Sequence, residues 1–294
     1  MKNKQTQKQQ RKKGWFRPFL QLITLGLYNL NFKGFRSGKI YNGTLKGICT
    51  PGLHCYSCPA SAGSCPLGTL QNTLSNLRGK INLYGTGLLL LFGAALGRVV
   101  CGFLCPFGFL QDLLYKIPTK KFTPAFKRLR FMKYAVLVGL VVVFPIVTML
   151  TKYAGEPGFC KFLCPMGTIA GIELTAANSE MRSLIGVLFW LKLGFLLTII
   201  LCSIFIYRPF CRLLCPLGAF YGLFNKIALL RYHVDETACT HCGACEKACP
   251  VRIDPVAECN SAECVRCGKC KNICPASAIS YRSKPKKCTS GKDE

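Results

Sequence analysis

Histidine and acidic residues are the scarcest functional side chains of this sequence. Only three of its 294 residues are histidine, His54, His233 and His241. None lies in an apolar run, which excludes a haem held between two histidines inside a membrane. Asp and Glu number 12 against 39 Lys and Arg, and charged residues make up 17% of the chain, against about 25% in soluble domains. Half of the residues are hydrophobic, so the composition argues against an ordinary soluble enzyme.

Cysteine, in contrast, is abundant, with 21 residues. So many cysteines indicate either a disulfide scaffold or metal ligation. The chain is long and carries extended apolar runs, unlike the small secreted domains that depend on disulfides. Metal ligation is therefore the stronger interpretation.

Four apolar stretches predict transmembrane helices, which need about 20 mainly apolar residues. They are residues 18–32, 81–100, 131–150 and 184–207. Pro145 should kink the third, because proline removes a backbone donor and clashes one turn back. Lys and Arg are densest in residues 1–17 and 98–133, so the positive-inside rule places both termini in the cytoplasm. We expect a multi-pass protein in the cell membrane of a prokaryote.

One short motif occurs four times. The sequence Cys-Pro-x-Gly begins at Cys65, Cys105, Cys164 and Cys215. Three copies have a second cysteine four residues earlier, at Cys101, Cys160 and Cys211. Proline suits the first position of a helix, and the helix dipole favours a thiolate at that end. Each motif therefore predicts a short helix with a cysteine at its N terminus.

In the predicted topology these motifs alternate between the two membrane faces, as in a parallel duplication of roughly 100 residues. A two-fold axis along the membrane normal would bring like motifs together. The inner pair would form a site of four thiolates, Cys101, Cys105, Cys211 and Cys215. The outer pair would join Cys65, Cys160 and Cys164. Because position 61 is serine, the fourth outer thiol must come from Cys58, which we favour as nearer in sequence, or from Cys55.

Four thiolates suit either zinc or an iron–sulfur cluster. The redox motifs that follow in the chain favour a cluster at the inner site. For the outer site a cluster, zinc, disulfides and redox-active dithiols all stay open, since the cell exterior can be oxidising.

Two further cysteine runs lie near the C terminus. Residues 239–249 and 264–274 both read C-x₂-C-x₂-C-x₃-C and are followed by Pro250 and Pro275. This is the bacterial two-cluster ferredoxin run, in which each fourth cysteine ligates the other cluster. One [4Fe–4S] cluster would bind Cys239, Cys242, Cys245 and Cys274. The second would bind Cys264, Cys267, Cys270 and Cys249. Zinc sites show paired C-x₂-C spacing instead.

The inner motifs Cys101-Gly-Phe-Leu-Cys105-Pro and Cys211-Arg-Leu-Leu-Cys215-Pro, together with the two ferredoxin runs, resemble the NapH/MauN-type membrane polyferredoxins, with NosR-type and CcoG-type proteins as wider relatives. The resemblance covers about residues 15–284. It implies an electron carrier between membrane quinol, or a cytoplasmic donor, and a respiratory or maturation partner. The outer cysteines depart from the nitrate-reductase type, which lacks them, and suggest redox chemistry at the outer face.

The sequence thus predicts an all-α polytopic membrane domain of four helices in two parallel repeats, followed by a small α+β two-cluster ferredoxin domain. The expected boundaries are a basic cytoplasmic tail at 1–14, the membrane domain at 15–231, the ferredoxin domain at 232–284 and a tail at 285–294. Beside a membrane, the basic tail is expected to meet anionic lipid rather than nucleic acid.

The expected function is electron transfer, with the chemistry in the cofactors and no catalytic side chain. The chain would be a subunit of an oxidoreductase system rather than a stand-alone enzyme. The expected cofactors are two [4Fe–4S] clusters in the tail and one or two more at the Cys-x₃-Cys-Pro motifs. The expected partners are the lipid bilayer, a quinone, and a ferredoxin, flavodoxin or oxidoreductase subunit. The alternatives are an assembly or regulatory factor, such as a metal reductase or redox sensor, and a transmembrane thiol–disulfide relay.

Overall fold

A computed structural model of the chain describes residues 2–77, 83–123, 128–152, 155–183 and 185–282, and the side chains of the first helix from residue 15 onward. The predicted tail 285–294 and the side chains of the predicted basic tail 1–14 lie outside the described residues. The described part is mostly helical and ends in a two-stranded sheet. This matches the predicted order of a helical part followed by a small α+β unit.

The chain begins with the helix Lys2–Tyr28, which packs on the turn Val100–Leu104 and the helix Pro106–Leu114. A short helix, Phe32–Ser37, and a 3₁₀ turn, Thr44–Gly47, lead into an extended loop. Backbone hydrogen bonds from Ala62 N–H to the Tyr28 carbonyl and from Asn31 N–H to the Ala60 carbonyl tie this loop to the end of the first helix. The loop that carries Cys55 and Cys58 is therefore fixed in place.

A helix follows each of the four Cys-Pro-x-Gly cysteines. These helices are Pro66–Ser75, Pro106–Leu114, Pro165–Ala177 and Pro216–Leu223. In each case the cysteine is the N-cap residue with an extended backbone, and proline occupies the first turn. Proline fits there because its missing N–H would have no partner within the helix. The four helix starts predicted from the motif are confirmed.

Three of these helices are preceded by one helical turn that holds the earlier cysteine. The turns are Val100–Leu104, which is π-helical, Gly158–Phe162 and Pro209–Leu213. The first motif has no such turn. Its loop is instead joined by a parallel bridge between Cys49 and Ser64, so the four copies are not identical.

Two helices among the described residues are long and apolar enough to cross a membrane, Leu129–Lys152 and Val187–Phe205, with mean hydropathies of 2.4 and 2.3. The other two predicted spans differ. The first lies in Lys2–Tyr28, which ends before residue 32, and the second is reduced to the 13-residue helix Tyr84–Leu96. Gly97 ends this helix with φ of 54°, a conformation that glycine adopts readily. The predicted four crossings are not confirmed by these helices.

The helix Leu129–Lys152 changes its winding near Pro145. It consists of a 3₁₀ turn, an α-helical turn, a π-helical segment and a final α-helix, Leu129–Phe131, Met132–Val136, Leu137–Val143 and Phe144–Lys152. Pro145 cannot donate to the carbonyl of Val141, and Val141 lies within the π-helical segment. The disturbance predicted at Pro145 is thus taken up by local π-helical winding.

The C-terminal unit begins after the short helix Ser179–Arg182, the apolar helix Val187–Phe205 and a 3₁₀ turn at Phe224–Lys226. Its strands Arg231–Val234 and Ile279–Arg282 pair antiparallel, with Tyr232 opposite Tyr281. Between them lie the short helices Ala244–Lys247 and Lys269–Ile273. Gly243 and Gly268 begin these helices with positive φ, which is the conformation that glycine favours.

Candidate metal centres

The inner motifs bring four buried cysteines together, as the sequence predicts. Cys101, Cys105, Cys211 and Cys215 all belong to the hydrophobic core. The Cys215 thiol interacts electrostatically with those of Cys211, Cys101 and Cys105, and the Cys211 thiol with those of Cys105 and Cys101. We call this group the inner quartet.

Two polar groups donate to sulfur atoms of the inner quartet. The Gln111 side-chain amide donates to Cys211 Sγ at 3.1 Å. The backbone N–H of Gly218 donates to Cys215 Sγ at 3.3 Å. Hydrogen bonds of this kind stabilise thiolates, and they also tune clusters that thiolates hold.

Each inner motif contributes a buried arginine that donates a hydrogen bond to the other inner motif. Arg98, three residues before Cys101, donates from Nη2 to the carbonyl of Cys211 at 3.2 Å. Arg208, three residues before Cys211, donates from Nη1 to the carbonyl of Cys101 at 2.6 Å. Neither side chain is exposed to solvent. Each motif therefore supplies a guanidinium group to the backbone of the other.

The outer motifs form a second group, with one difference from the prediction. The Cys164 thiol interacts electrostatically with those of Cys160, Cys55 and Cys65. Cys58, which we favoured as the fourth member, instead donates its thiol hydrogen to Glu173 Oε2 at 3.0 Å. Cys55 therefore occupies the fourth position, although Cys58 is nearer to Cys65 in sequence. We call Cys55, Cys65, Cys160 and Cys164 the outer quartet.

The outer quartet repeats the hydrogen bonds of the inner one. The Gln71 amide donates to Cys160 Sγ at 3.2 Å, and Gly167 N–H donates to Cys164 Sγ at 3.4 Å. Gln71 follows Cys65 by the same six residues that separate Gln111 from Cys105. This correspondence relates the first two motifs to each other, because the third and fourth motifs have Ala170 and Tyr221 at the same offset. In place of an arginine, Lys192 donates to the Cys160 carbonyl at 3.4 Å.

The eight cysteines of the two ferredoxin runs line two separate cavities. Cys239, Cys242, Cys245 and Cys274 line the first. Cys249, Cys264, Cys267 and Cys270 line the second, together with Cys259, which lies between the two runs. Each cavity thus combines three cysteines of one run with the last cysteine of the other, which is the grouping that the spacing predicts.

These donor sets fit clusters of several irons better than single metal ions. Zinc needs four ligand atoms at about 2.0–2.3 Å from one centre, whereas the tail thiols surround cavities. Burial raises the pKa of the Cys101 thiol to about 11 and that of Cys270 to about 12. Thiolates there need nearby positive charge, which iron supplies.

The ferredoxin-like unit lies directly on the inner quartet. A Cβ atom added to Gly102, between Cys101 and Cys105, would lie 2.7 Å from the carbonyl oxygen of Val265. Arg98 donates to the carbonyl of Ala262 at 2.7 Å. The Asn225 amide donates to the carbonyl of Cys264 at 3.0 Å. The second tail cavity and the inner quartet are therefore neighbours.

A buried ion cluster lies beside the inner motifs. Asp112 accepts from Arg208 Nε at 2.8 Å and forms ion pairs with Arg17 and Arg208. Burial raises the pKa of the Asp112 carboxyl, but the two guanidinium groups lower it further, so the net shift is downward. Gly102 O accepts from Arg17 Nε at 2.9 Å. The cluster therefore ties the first helix to both inner motifs.

An apolar cavity of about 310 Å³ lies between the inner and outer motifs. Its walls include Phe107, next after Cys105-Pro106, and Met166, next after Cys164-Pro165. Its polar groups include His54 and Glu173. His54 is buried and lies near the Tyr28 backbone, yet among the described residues neither of its ring nitrogens makes a hydrogen bond of normal geometry.

Sequence reasoning missed the glutamines and arginines that surround the cysteines. Their signal is present in the sequence, because each type recurs at a fixed offset from its motif. Gln71 and Gln111 follow the Cys-Pro cysteine by six residues, and Arg98 and Arg208 precede the earlier cysteine by three. Aligning the four motifs over a longer window would have revealed them.

Comparison with known protein families gives the same fourfold repeat. A family model described as "4Fe-4S binding domain" matches residues 64–84, 82–124, 134–172 and 187–233, which together cover half of the chain. Each match contains one Cys-Pro-x-Gly motif. A second model of the same description matches residues 232–253, in the ferredoxin-like tail.

Several curated proteins are similar to parts of the chain. An uncharacterized protein of Methanocaldococcus jannaschii is 33% identical over 54% of this chain and 60% of its own length. The methylamine utilization ferredoxin-type protein MauN of Paracoccus denitrificans is 30% identical over 52% of this chain and 48% of its own. The regulatory protein NosR of Pseudomonas aeruginosa is 27% identical over 56% of this chain and 21% of its own. The chain thus spans 60% or less of these relatives, and no solved structure matches it.

Proposed function

Because the chain belongs to the MauN/NapH-type family of 4Fe–4S polyferredoxins, a family of iron–sulfur electron-transport proteins, we propose that it is a membrane electron-transfer subunit. It passes electrons between a cytoplasmic donor at its tail and a redox partner in or beyond the membrane. The observation that carries this proposal is the contact of Gly102 with Val265, which joins the second tail cavity to the inner quartet.

In this proposal four iron–sulfur clusters lie along the chain. The tail clusters use the two groups of four cysteines that line the tail cavities, and the inner and outer quartets hold one cluster each, with Cys55 as the fourth outer ligand. Bound iron supplies the one-electron redox chemistry. Residues 15–231 form the membrane domain and residues 232–284 the ferredoxin domain. Both termini lie in the cytoplasm, as the distribution of Lys and Arg favours.

The protein's own side chains position these centres relative to one another. Arg98 and Asn225 fix the ferredoxin domain on the inner motifs through the carbonyls of Ala262 and Cys264. Arg266 is fully buried and donates from Nη2 to the Asn225 carbonyl at 2.7 Å and from Nη1 to the Leu96 carbonyl at 3.1 Å. Such a fixed contact makes electron exchange between tail and inner quartet independent of diffusion.

Substituting Gly102 with alanine is the direct test of this route. The added methyl group would meet the Val265 carbonyl, and overpacking of this kind costs about 1–3 kcal/mol. We expect the ferredoxin domain to move away from the inner quartet and electron transfer between them to slow. The measurement is rapid-freeze EPR of the anaerobic protein after a reducing pulse from a reduced flavodoxin.

The matched control is Gly87→Ala, because a Cβ atom at Gly87 meets nothing within 4 Å. Both variants should keep the full iron and sulfide content. If Gly102→Ala passes electrons inward as fast as Gly87→Ala, the proposed route is wrong. If reduction of the tail never reaches a membrane site in the unmodified protein, an assembly or regulatory factor becomes the better description.

A quinone is the second candidate partner, and the apolar cavity between the inner and outer motifs favours it. Ligand pockets of about 300–1,000 Å³ with few polar groups suit such molecules. Burial, and then the charge of Lys46, lower the pKa of His54 to about 4. The imidazole is therefore neutral, and its N–H can donate to a quinone carbonyl. Placed there, a quinone would lie between the two quartets.

The His54→Phe variant tests this cavity. Removing the donor should weaken binding of a short-chain naphthoquinone roughly fivefold, which corresponds to about 1 kcal/mol for one hydrogen bond. Equilibrium dialysis of the detergent-solubilised protein measures it, with His233→Phe in the strand Arg231–Val234 as the control. Equal affinity in the two variants, or an unmodified protein that binds no naphthoquinone, would rule out this site.

A further inference from the structure

We propose that the buried arginines Arg98 and Arg208 raise the reduction potential of the inner cluster, so that an electron on the outermost tail cluster is drawn toward the inner site. This inference rests on the proposed function, because it requires a cluster at the inner quartet. It adds a direction: transfer from the outermost tail cluster, held by Cys239, Cys242, Cys245 and Cys274, to the inner cluster is downhill, and the reverse is uphill.

The two guanidinium groups are placed to act on charge at the inner quartet. Arginine keeps its positive charge in proteins, and neither side chain is exposed. The Cys101 thiol interacts electrostatically with both Arg98 and Arg208. The carbonyl oxygens that they contact belong to Cys101 and Cys211. Each guanidinium group therefore hydrogen-bonds to the backbone of a cysteine that would hold the cluster.

Reduction adds one negative charge to an iron–sulfur cluster that four thiolates already make anionic. A fixed cation therefore favours the reduced form, and it does so strongly where little water screens it. Burial alone would have the opposite effect, because it disfavours the more highly charged reduced cluster. The arginines offset this penalty at the inner quartet.

The carboxylates nearby do not cancel these charges. Asp112 accepts from Arg208 but is shared with Arg17. Glu263 lies 3.9 Å from Arg98 and is held by Lys133 at 2.6 Å. Four cations thus surround two carboxylates, and the local charge is positive.

The outermost tail centre has a different environment. Its Cys242 is exposed, and its Cys245 interacts with the carboxylate of Asp254. A neighbouring carboxylate disfavours the reduced cluster, and water screens any cation. One electron leaving this cluster oxidises it and reduces the inner cluster, with no bond made or broken and no proton required. Electrostatics therefore favours movement of the electron inward.

Redox titration of the whole protein, followed by low-temperature EPR, tests this assignment. At a fixed ambient potential, Arg98→Gln should lower the reduced-to-oxidised ratio of the inner cluster about tenfold, equivalent to about 59 mV for one electron. Arg98→Lys keeps the charge and should retain most of the potential. The signal of the outermost tail cluster should titrate as in the unmodified protein.

Glu263→Gln is a second variant that keeps the test decisive if Arg98→Gln does not fold. It removes a negative charge and should raise the inner ratio, opposite in sign to Arg98→Gln. Any of four results would overturn the inference. The inner cluster could titrate below the outermost tail cluster, or the inner ratio could stay unchanged in Arg98→Gln. The Gln and Lys variants could shift equally, or the inner ratio could fail to rise in Glu263→Gln. Absence of any inner signal from the unmodified protein would instead overturn the proposed function.

Discussion

Replacing Cys101 and Cys215 together by serine is expected to remove about four irons and one EPR signal from the anaerobically purified protein. The tail should keep about eight irons, since its two clusters each hold four. The two cysteines come from different motifs and interact within the inner quartet. Removing both leaves only two thiols there, and the serine oxygens are poor replacements for soft thiolate ligands.

The control for this loss is Cys202→Ser. Cys202 lies in the helix Val187–Phe205, away from the quartets and the tail cavities. This variant should keep all of the iron, all of the sulfide and every EPR signal. If the double variant at positions 101 and 215 also kept them all, the inner quartet would not hold a cluster.

Replacing Asp112 by asparagine is expected to destabilise the protein by about 3–5 kcal/mol, the usual cost of leaving a buried charge without its partner. The Asp112 carboxylate is the shared acceptor for Arg17 and Arg208. Its loss leaves two nearly dry guanidinium groups facing each other. Chemical denaturation in detergent, followed by tyrosine and tryptophan fluorescence, measures the change in the free energy of unfolding.

Glu156→Gln provides the matched comparison. Glu156 also has two cationic partners, Lys152, which is exposed, and Lys161, which like Glu156 itself is partly exposed. Exposed ion pairs contribute about 0–1 kcal/mol, so this variant should unfold almost as the unmodified protein does. Equal midpoints for Asp112→Asn and Glu156→Gln would show that the buried cluster does not stabilise the fold.

The cysteine spacing predicted the local structure around each motif because that structure depends on neighbouring residues. Proline at the first helical position fixes where each Cys-Pro-x-Gly helix begins, and the four starts are confirmed. The crossed grouping of the tail cysteines follows in the same way from short loops and one returning helix. The fourfold match of the 4Fe–4S family model agrees with the repeat.

Proximity in sequence did not predict the fourth outer cysteine, because the loop that carries it folds against a helix far away in the sequence. Cys58 is nearer to Cys65, but its thiol points to Glu173 on the helix Pro165–Ala177. Cys55 reaches Cys160 and Cys164 instead. Hydrogen bonds between this loop and the first helix decide the outcome, and no local pattern encodes them.

The length of the second apolar helix was also overestimated. Residues 81–100 read as one apolar run, yet the helix stops at Leu96 because Gly97 takes a positive φ. Apolar composition alone does not distinguish a residue that continues the helix from one that turns the chain. Here the turn at Gly97 places Cys101 in the inner quartet and Arg98 beside it.

The hydrogen bonds that cross between motifs make each half of the membrane domain dependent on the other. Gln71 and Gln111 in the first half reach sulfur atoms in the second, and Arg98 and Arg208 cross in opposite directions. The first half alone would lack the Cys160 and Cys211 sulfur atoms that its glutamines reach, and the second half alone would lack those glutamines, so the centres need both halves. Fusion into one chain guarantees that pairing and allows each half to diverge, as it has at Ser61, where Cys55 of the same loop takes the fourth position.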